Sequence, residues 1–460
     1  MSRIGTSARR IVPLAWPVFV GQIAVLSYAT LDTLLVSRVG AAELAALAVG
    51  GAAYITVFIG LNGVVLAISP IVGQLFGAQR HADAGCQVHQ AVWIALVLAA
   101  IGSAVLLVPD PFLALAQTSA EVEAKVRGFL SVLALSLPAS MLFTVFRGFN
   151  TAVSRPRAVM RLQLIGLAIK VPLSTALALG VPAWGFDGLG LQGCAIATAV
   201  AMWSQVLLAA WVLRHDSFYD RFVLWGRGLD RPDPAALRNI LKLGVPLGAS
   251  ILVEVTGFAF MAFFIARLGT TPVAGHQIAA NLVTLMFMLP LALGNATTTL
   301  VAQAIGAGDW RDARRLSWHG VLLGCGVAAV LGCVVLLLRE PVLRLYTGNP
   351  AVFAAAMPLI AWLVVFHIAD AAQIIAAFVL RAYKITTVPL LIYVAALWGV
   401  GQGGGYWLAF NVGGDVPVSL QGATGYWIAS TAGLVLAALA LTAFLAWVLK
   451  HKTRPVQTGS

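Results

Sequence analysis

Charge is what this 460-residue sequence has least of. Only 10% of it is Asp, Glu, Lys or Arg, against about 25% in an ordinary soluble domain, while 60% is hydrophobic. A water-soluble fold must still cover its exterior, so the soluble globular classes are excluded. Cysteine is scarce too. Cys86, Cys194, Cys325 and Cys333 show neither CxxC nor metal-ligand spacing, which excludes a disulfide scaffold or a zinc site and reads them as small buried hydrophobes. There is no HExxH, GxSxG or GxGD, no phosphate loop and no filter-like loop. These absences argue against an enzyme, a cofactor and a channel.

What is present is a succession of apolar runs, each long enough to cross about 30 Å of hydrocarbon. Twelve helices are predicted near 11–36, 44–70, 88–108, 126–147, 158–180, 189–213, 239–266, 273–300, 316–338, 353–380, 387–411 and 423–449. The runs are Gly- and Ala-rich rather than alternating, which favours helices over a lipid-facing barrel. The first is too long for the core of a signal peptide and reads as a spanning helix. Of 29 basic residues, 22 fall in the tails and the even-numbered loops, so both termini are expected in the cytoplasm. The net charge of +12 is accounted for by this topology, and no nucleic-acid partner is expected.

The chain repeats itself. At a shift of 229 residues Pro17 meets Pro246, Arg38 meets Arg267, Gly40 meets Gly269, Phe58 meets Phe287, and Gln74-Leu-Phe-Gly77-Ala78 meets Gln303-Ala-Ile-Gly306-Ala307. Matches of Pro, Arg, Gly and Gln weigh more than matches of Ala or Val between apolar helices. Six helices separate the copies, so both halves insert in the same direction, as in parallel-repeat transporters. The expected architecture is an all-α integral membrane protein, with twelve spans in two pseudo-symmetric six-helix lobes. The lobes are expected over 1–213 and 239–460, with a charged cytoplasmic linker over 214–238 and a central cavity between the halves.

Only three of the 17 acids lie inside predicted spans: Asp32, Glu254 and Asp370. One cation, Lys170, lies far from either end of its predicted span. A charge at the bilayer centre costs about 2.5–3.5 kcal/mol on insertion scales and so marks ion or substrate paths. Other readings stay open: Asp32 also fits an acid reaching the outer headgroups, and Glu254 and Asp370 also fit structural helix–helix hydrogen bonds. Lys170 lies about 15 Å below the outer end of its helix and Asp32 about 9 Å deep by helix rise. Asp32 is the one carboxylate in that half's spans, so the two are expected to pair, leaving that lobe without Na+.

Polar residues accompany the acids. His367, Asp370 and Gln373 recur at three-residue spacing and share a helix face. His276, Gln277, Asn281 and Asn295 lie in the eighth span, and Asn62 in the second. Together they are read as candidates for lining an amphiphilic cavity. Tyr54, Phe58, Phe258, Phe287 and Phe366 offer apolar and cation–π contacts to a bulky organic cation.

These motifs carry a resemblance. Asp32-Thr33, the heptapeptide at 72–78, Glu254-Val-Thr, Gly275-His276-Gln277-Ile278-Ala279, Asp370-Ala-Ala-Gln373 with Arg381-Ala-Tyr, and GlyAlaThrGlyTyrTrp at 422–427 resemble the multidrug and toxic compound extrusion (MATE) family, its bacterial NorM branch above all. The resemblance covers essentially the whole chain. It implies a secondary active exporter, without cofactor, that antiports organic cations and amphiphilic drugs against H+ or Na+. It further implies a monomer in the lipid bilayer of a bacterial inner membrane. Cation coupling then falls to Glu254, Asp370 and Asp32, with Na+ possible at Glu254 and Asp370. Two departures reduce the oxygen ligands. Lys170-Val-Pro172-Leu-Ser174 stands where the branch reads Asn-x-Pro-Leu-Asn, and Phe366 replaces a tyrosine. The alternative reading is a flippase for a lipid-linked precursor. It would want a basic lumen for a pyrophosphate, and three acids against one lysine speak against it.

Overall fold

The computed structural model describes residues 2–116, 119–181, 185–225 and 228–451. Among these, twelve helices are long and apolar enough to cross a membrane. They are α1 (Ile4–Val39), α2 (Ala41–Gly77), α3 (His81–Leu107), α4 (Ala120–Ala152), α5 (Pro156–Leu179) and α6 (Leu191–His215), then α7 (Pro234–Ala266), α8 (Thr270–Gly306), α9 (Trp310–Leu337), α10 (Pro350–Ala382), α11 (Thr387–Ala409) and α12 (Gly422–His451). Every expected span is present, and three of those that run past the apolar stretch begin at a side-chain cap. The Ser119 side chain accepts from the Val122 N–H at the start of α4. Asp309 does the same for Asp312 at α9, at 2.9 Å, and Asn349 for Ala351 at α10, where Pro350 takes the first helical position. The turn from α7 into α8 passes through Gly269 at φ 118, a conformation that side chains disfavour.

The chain folds as two units, Pro17–Gly248 and Met1–Trp16 with Ala249–Ser460. In the first, α4 is the central helix, packed by α2, α3 and α6, and its Phe129, Leu130, Leu137 and Phe149 are fully or almost fully buried. In the second, α10 takes that place against α8, α9 and α12, with Leu359, Ile360, Leu363 and Ile375 fully buried.

Smaller elements were not legible in the hydrophobic pattern. A two-residue ladder pairs Gly180–Val181 with Phe186–Asp187 between α5 and α6, and a short helix, Arg339–Tyr346, precedes α10. The charged segment after α6 is bound to the first unit. Gln90 donates to Arg231 O at 2.9 Å and accepts from the Asp233 N–H at 2.8 Å. Trp93 donates to Asp230 O at 2.9 Å, and Arg155 pairs with Asp216. A methyl group on Gly85 would stand 1.9 Å from Phe222 O, so that glycine lets the segment lie directly on α3. The thiols depart from expectation. Cys194 is buried, but Cys86 and Cys333 are exposed, since a helix face turned outward accommodates a small apolar thiol as well as a core does.

Candidate functional site

In the second unit α7, α10 and α11 bring polar groups together at depth. Gln373 is fully buried. Its Nε2 donates to Glu254 Oε1 at 3.0 Å and to Asp370 Oδ1 at 3.0 Å, so both amide hydrogens go to carboxylates. Its Oε1 accepts from the Tyr393 hydroxyl, which leaves the amide no rotational choice. Two oxygens within 3.0 Å of one nitrogen are no more than about 6 Å apart. The shared face of α10 expected from the three-residue spacing is therefore turned inward at Asp370 and Gln373. His367, on the same helix, is fully buried, and among the described residues neither ring nitrogen has a hydrogen-bond partner. About three helical turns beyond Asp370, Arg381 is buried as well, its guanidinium 3.9 Å from the centre of the Phe378 ring.

α11 closes around this cluster in an unusual way. After Tyr393 its backbone runs as a π-helix over Val394–Gly403, far longer than the single-turn bulge in which that geometry mostly occurs. Two side chains from it hold α7 on either side of Glu254: Trp398 Nε1 donates to Val253 O at 3.0 Å and Gln402 Nε2 to Gly257 O at 2.6 Å. Glycines make room for it. A methyl on Gly433 of α12 would lie 2.6 Å from Ala396 O and 2.9 Å from Gly401 N.

The remaining candidates of this unit scatter. Gln277, Asn281, Phe258, Thr284 and Tyr346 line an open pocket of about 460 Å³, where the Tyr346 hydroxyl donates to Asn281 Oδ1 at 2.8 Å. His276 is fully buried and accepts from Trp427 Nε1 at 3.2 Å, and the Trp427 ring in turn packs against Phe366 with centroids 5.4 Å apart. Asn295 donates to Leu291 O of its own helix.

In the first unit Lys170 meets Asp32. Its Nζ lies 2.8 Å from Oδ1 and 2.9 Å from Oδ2 and also donates to the Thr198 hydroxyl. None of the Lys170 surface is accessible. Asn62 accepts from Thr144 and Arg147, both at 2.9 Å, and Tyr54 stacks on Phe58 at 5.9 Å.

Comparison with known proteins decides the family. The MatE family profile matches residues 17–175 and 246–407. The chain belongs to the multidrug and toxic compound extrusion family. This MATE chain is 39% identical to the probable multidrug resistance protein NorM of Aromatoleum aromaticum over 98% of itself and 96% of that protein. It is 34% identical to the multidrug resistance protein PmpM of Pseudomonas aeruginosa over 96% and 92%. The fold is that of the Vibrio cholerae MATE transporter VcmN in the bent form, at 18% identity, TM-score 0.84 and 98% of each chain. A Pyrococcus furiosus MOP superfamily transporter has TM-score 0.86, also at 18% identity, over 98% and 97%. The MATE chain is thus a multi-pass membrane transporter and not an enzyme. Tyr393, Trp398 and Gln402 were not singled out from the sequence. Their one signal there is the glycine run Gly399 to Gly405, too dense for an ordinary span interior.

Proposed function

We propose that the chain is a multidrug exporter that expels organic cations and amphiphilic drugs in exchange for H+. On this reading it sits in a bacterial inner membrane with both termini cytoplasmic. The observation that carries the reading is the single amide of Gln373 holding Glu254 and Asp370 together at depth. Two carboxylates this close, Asp370 buried and Glu254 partly buried, repel each other. Uptake of one positive charge relieves the pair, and that charge is either the coupling ion or a cationic drug. Competition between the two for the same carboxylates, with the site opening alternately to either side, yields exchange. The proton is favoured over Na+ because the Nε2 hydrogens already occupy one oxygen of each acid, which leaves fewer free oxygens for a metal ion that wants several, whereas a proton needs one. The pocket lined by Phe258, Gln277, Asn281 and Tyr346 offers amphiphiles aromatic and amide contacts.

The test is dye efflux from proteoliposomes with pH and Na+ gradients imposed separately. A cationic dye such as ethidium should be driven by the pH gradient alone. Efflux driven only by Na+ overturns the choice of ion, and no efflux under either gradient overturns export of this substrate class.

A further inference from the structure

Lys170 sits in an oxygen shell that has the character of a cation site. Its three N–H groups meet three oxygens, both of Asp32 and that of Thr198, which exhausts an ammonium's donors. The Thr198 hydroxyl spends its own hydrogen on Cys194 O at 2.9 Å, so it can only accept from the amine. One turn along α5, on the same face, the Ser174 hydroxyl is fully buried and has no hydrogen-bond partner among the described residues. The Tyr28 ring centre stands 5.2 Å from Nζ, with its hydroxyl fixed by Gln205 Nε2 at 3.0 Å. The shell is built by close packing. A methyl on Gly166 would stand 2.3 Å from Gln205 Nε2 and 2.5 Å from the Tyr28 hydroxyl, so this glycine admits α1 and α6 to the amine.

A carboxylate in bidentate contact, a hydroxyl aimed as acceptor and a spare hydroxyl one turn away are oxygen ligands of the kind hard cations select. A lone structural ion pair needs neither the oriented Thr198 nor the unpartnered Ser174. We infer that this shell is a monovalent-cation site that the chain fills with its own covalently attached ammonium. In the native protein Asp32 is therefore closed to external cations, and removing the amine opens the site to Na+. The inference goes beyond export and does not depend on it.

The experiment reads cation binding, so its failure leaves the export reading untouched. Lys170→Met keeps the apolar stem and leaves a gap near the place of the amine. Purified variant and wild type are compared in NaCl and in choline chloride at equal ionic strength, by thermal unfolding and by equilibrium binding of radioactive Na+. The expected result is a Na+-specific rise in Tm for Lys170→Met that is absent from wild type, because a ligand bound only by the folded state stabilises it. The variant should also hold one Na+ per chain more than wild type. Both gains should vanish in Lys170→Met with Asp32→Asn. Equal Na+ response in Lys170→Met and wild type overturns the inference. So does a gain that survives Asp32→Asn. A second measurement uses the wild type alone, in case the variant does not fold. The carboxyl reagent dicyclohexylcarbodiimide should leave Asp32 unlabelled, and labelling at Asp32 overturns the claim that the ammonium closes it.

Discussion

Replacing Glu254 by Gln, or Asp370 by Asn, removes one charge and almost no volume. Gln373 would keep its bonds, since a carboxamide oxygen still accepts from the Nε2 that now donates at 3.0 Å to each acid. The hydrogen-bond change is that from a charged to a neutral acceptor, about 1 kcal/mol, and folding should survive it. The electrostatic change is larger. At the maximum separation of about 6 Å, two unit charges at an effective dielectric of about 20 repel by about 3 kcal/mol, more if they are closer. Either substitution abolishes that repulsion entirely, and with it the drive to take up a cation. The single variants and the double variant should therefore be equally defective, the non-additivity expected of groups that act as a pair. The assay is the dye ratio held by proteoliposomes under a pH gradient. With one proton exchanged per monovalent dye, one pH unit is worth 1.36 kcal/mol, roughly a tenfold ratio, and membrane potential cancels. Wild type should approach that ratio, and each variant should let dye equilibrate to a ratio near one. A single variant that still builds the wild-type ratio, or a double variant much worse than either single, would refute the shared-charge argument.

Gln373→Leu should cost about 2 kcal/mol in stability, taking three lost hydrogen bonds at about 0.6 kcal/mol each for intramembrane pairs. Unfolding in mixed micelles checks it, and an unchanged midpoint would mean the amide holds nothing in place. Gly85→Ala should destabilise by about 1–3 kcal/mol by overpacking, because its methyl meets the backbone oxygen of Phe222 at 1.9 Å rather than a movable side chain. Protease cutting within 216–225 should rise with it, and if cutting and stability both stay at wild-type levels the close approach is not as tight as described. Asp216 is held below the ordinary carboxylate range by the Phe218 N–H and then by Arg155. A depressed folded-state value stabilises the segment fully above the ordinary value of about 3.9 and loses that contribution as pH falls through the lower, folded value. Hydrogen exchange of residues 216–222 should thus quicken only below about pH 4, and Asp216→Asn should remove the acid dependence.

The spans and their number were legible because both depend on hydrophobic runs interrupted by charge, which lipid makes costly. The Lys170–Asp32 pair was legible for the same reason: an ammonium that deep needs a partner, and its half offered one carboxylate. The bond from Gln373 to Glu254 was not, since it joins residues 119 apart on helices whose rotation is set by packing. His276 and Asn295 looked alike in sequence, yet one packs on Trp427 and the other bonds back to its own helix. A polar side chain in an apolar run announces that it needs a partner without saying which.

The π-helical stretch of α11 has a geometric consequence for the acids beside it. Bonding from residue i to i+5 fits more residues into each turn than bonding to i+4, so Val394–Gly403 stores surplus chain. If those ten residues passed to α-helical bonding, the segment would lengthen and everything beyond it would turn about the axis. Trp398 and Gln402 could not then both stay on the carbonyls of Val253 and Gly257. At least one of the two holds on α7 around Glu254 would be lost with that change, and Tyr393, bonded to the amide between the two acids, is the last residue before the stretch that stores the chain.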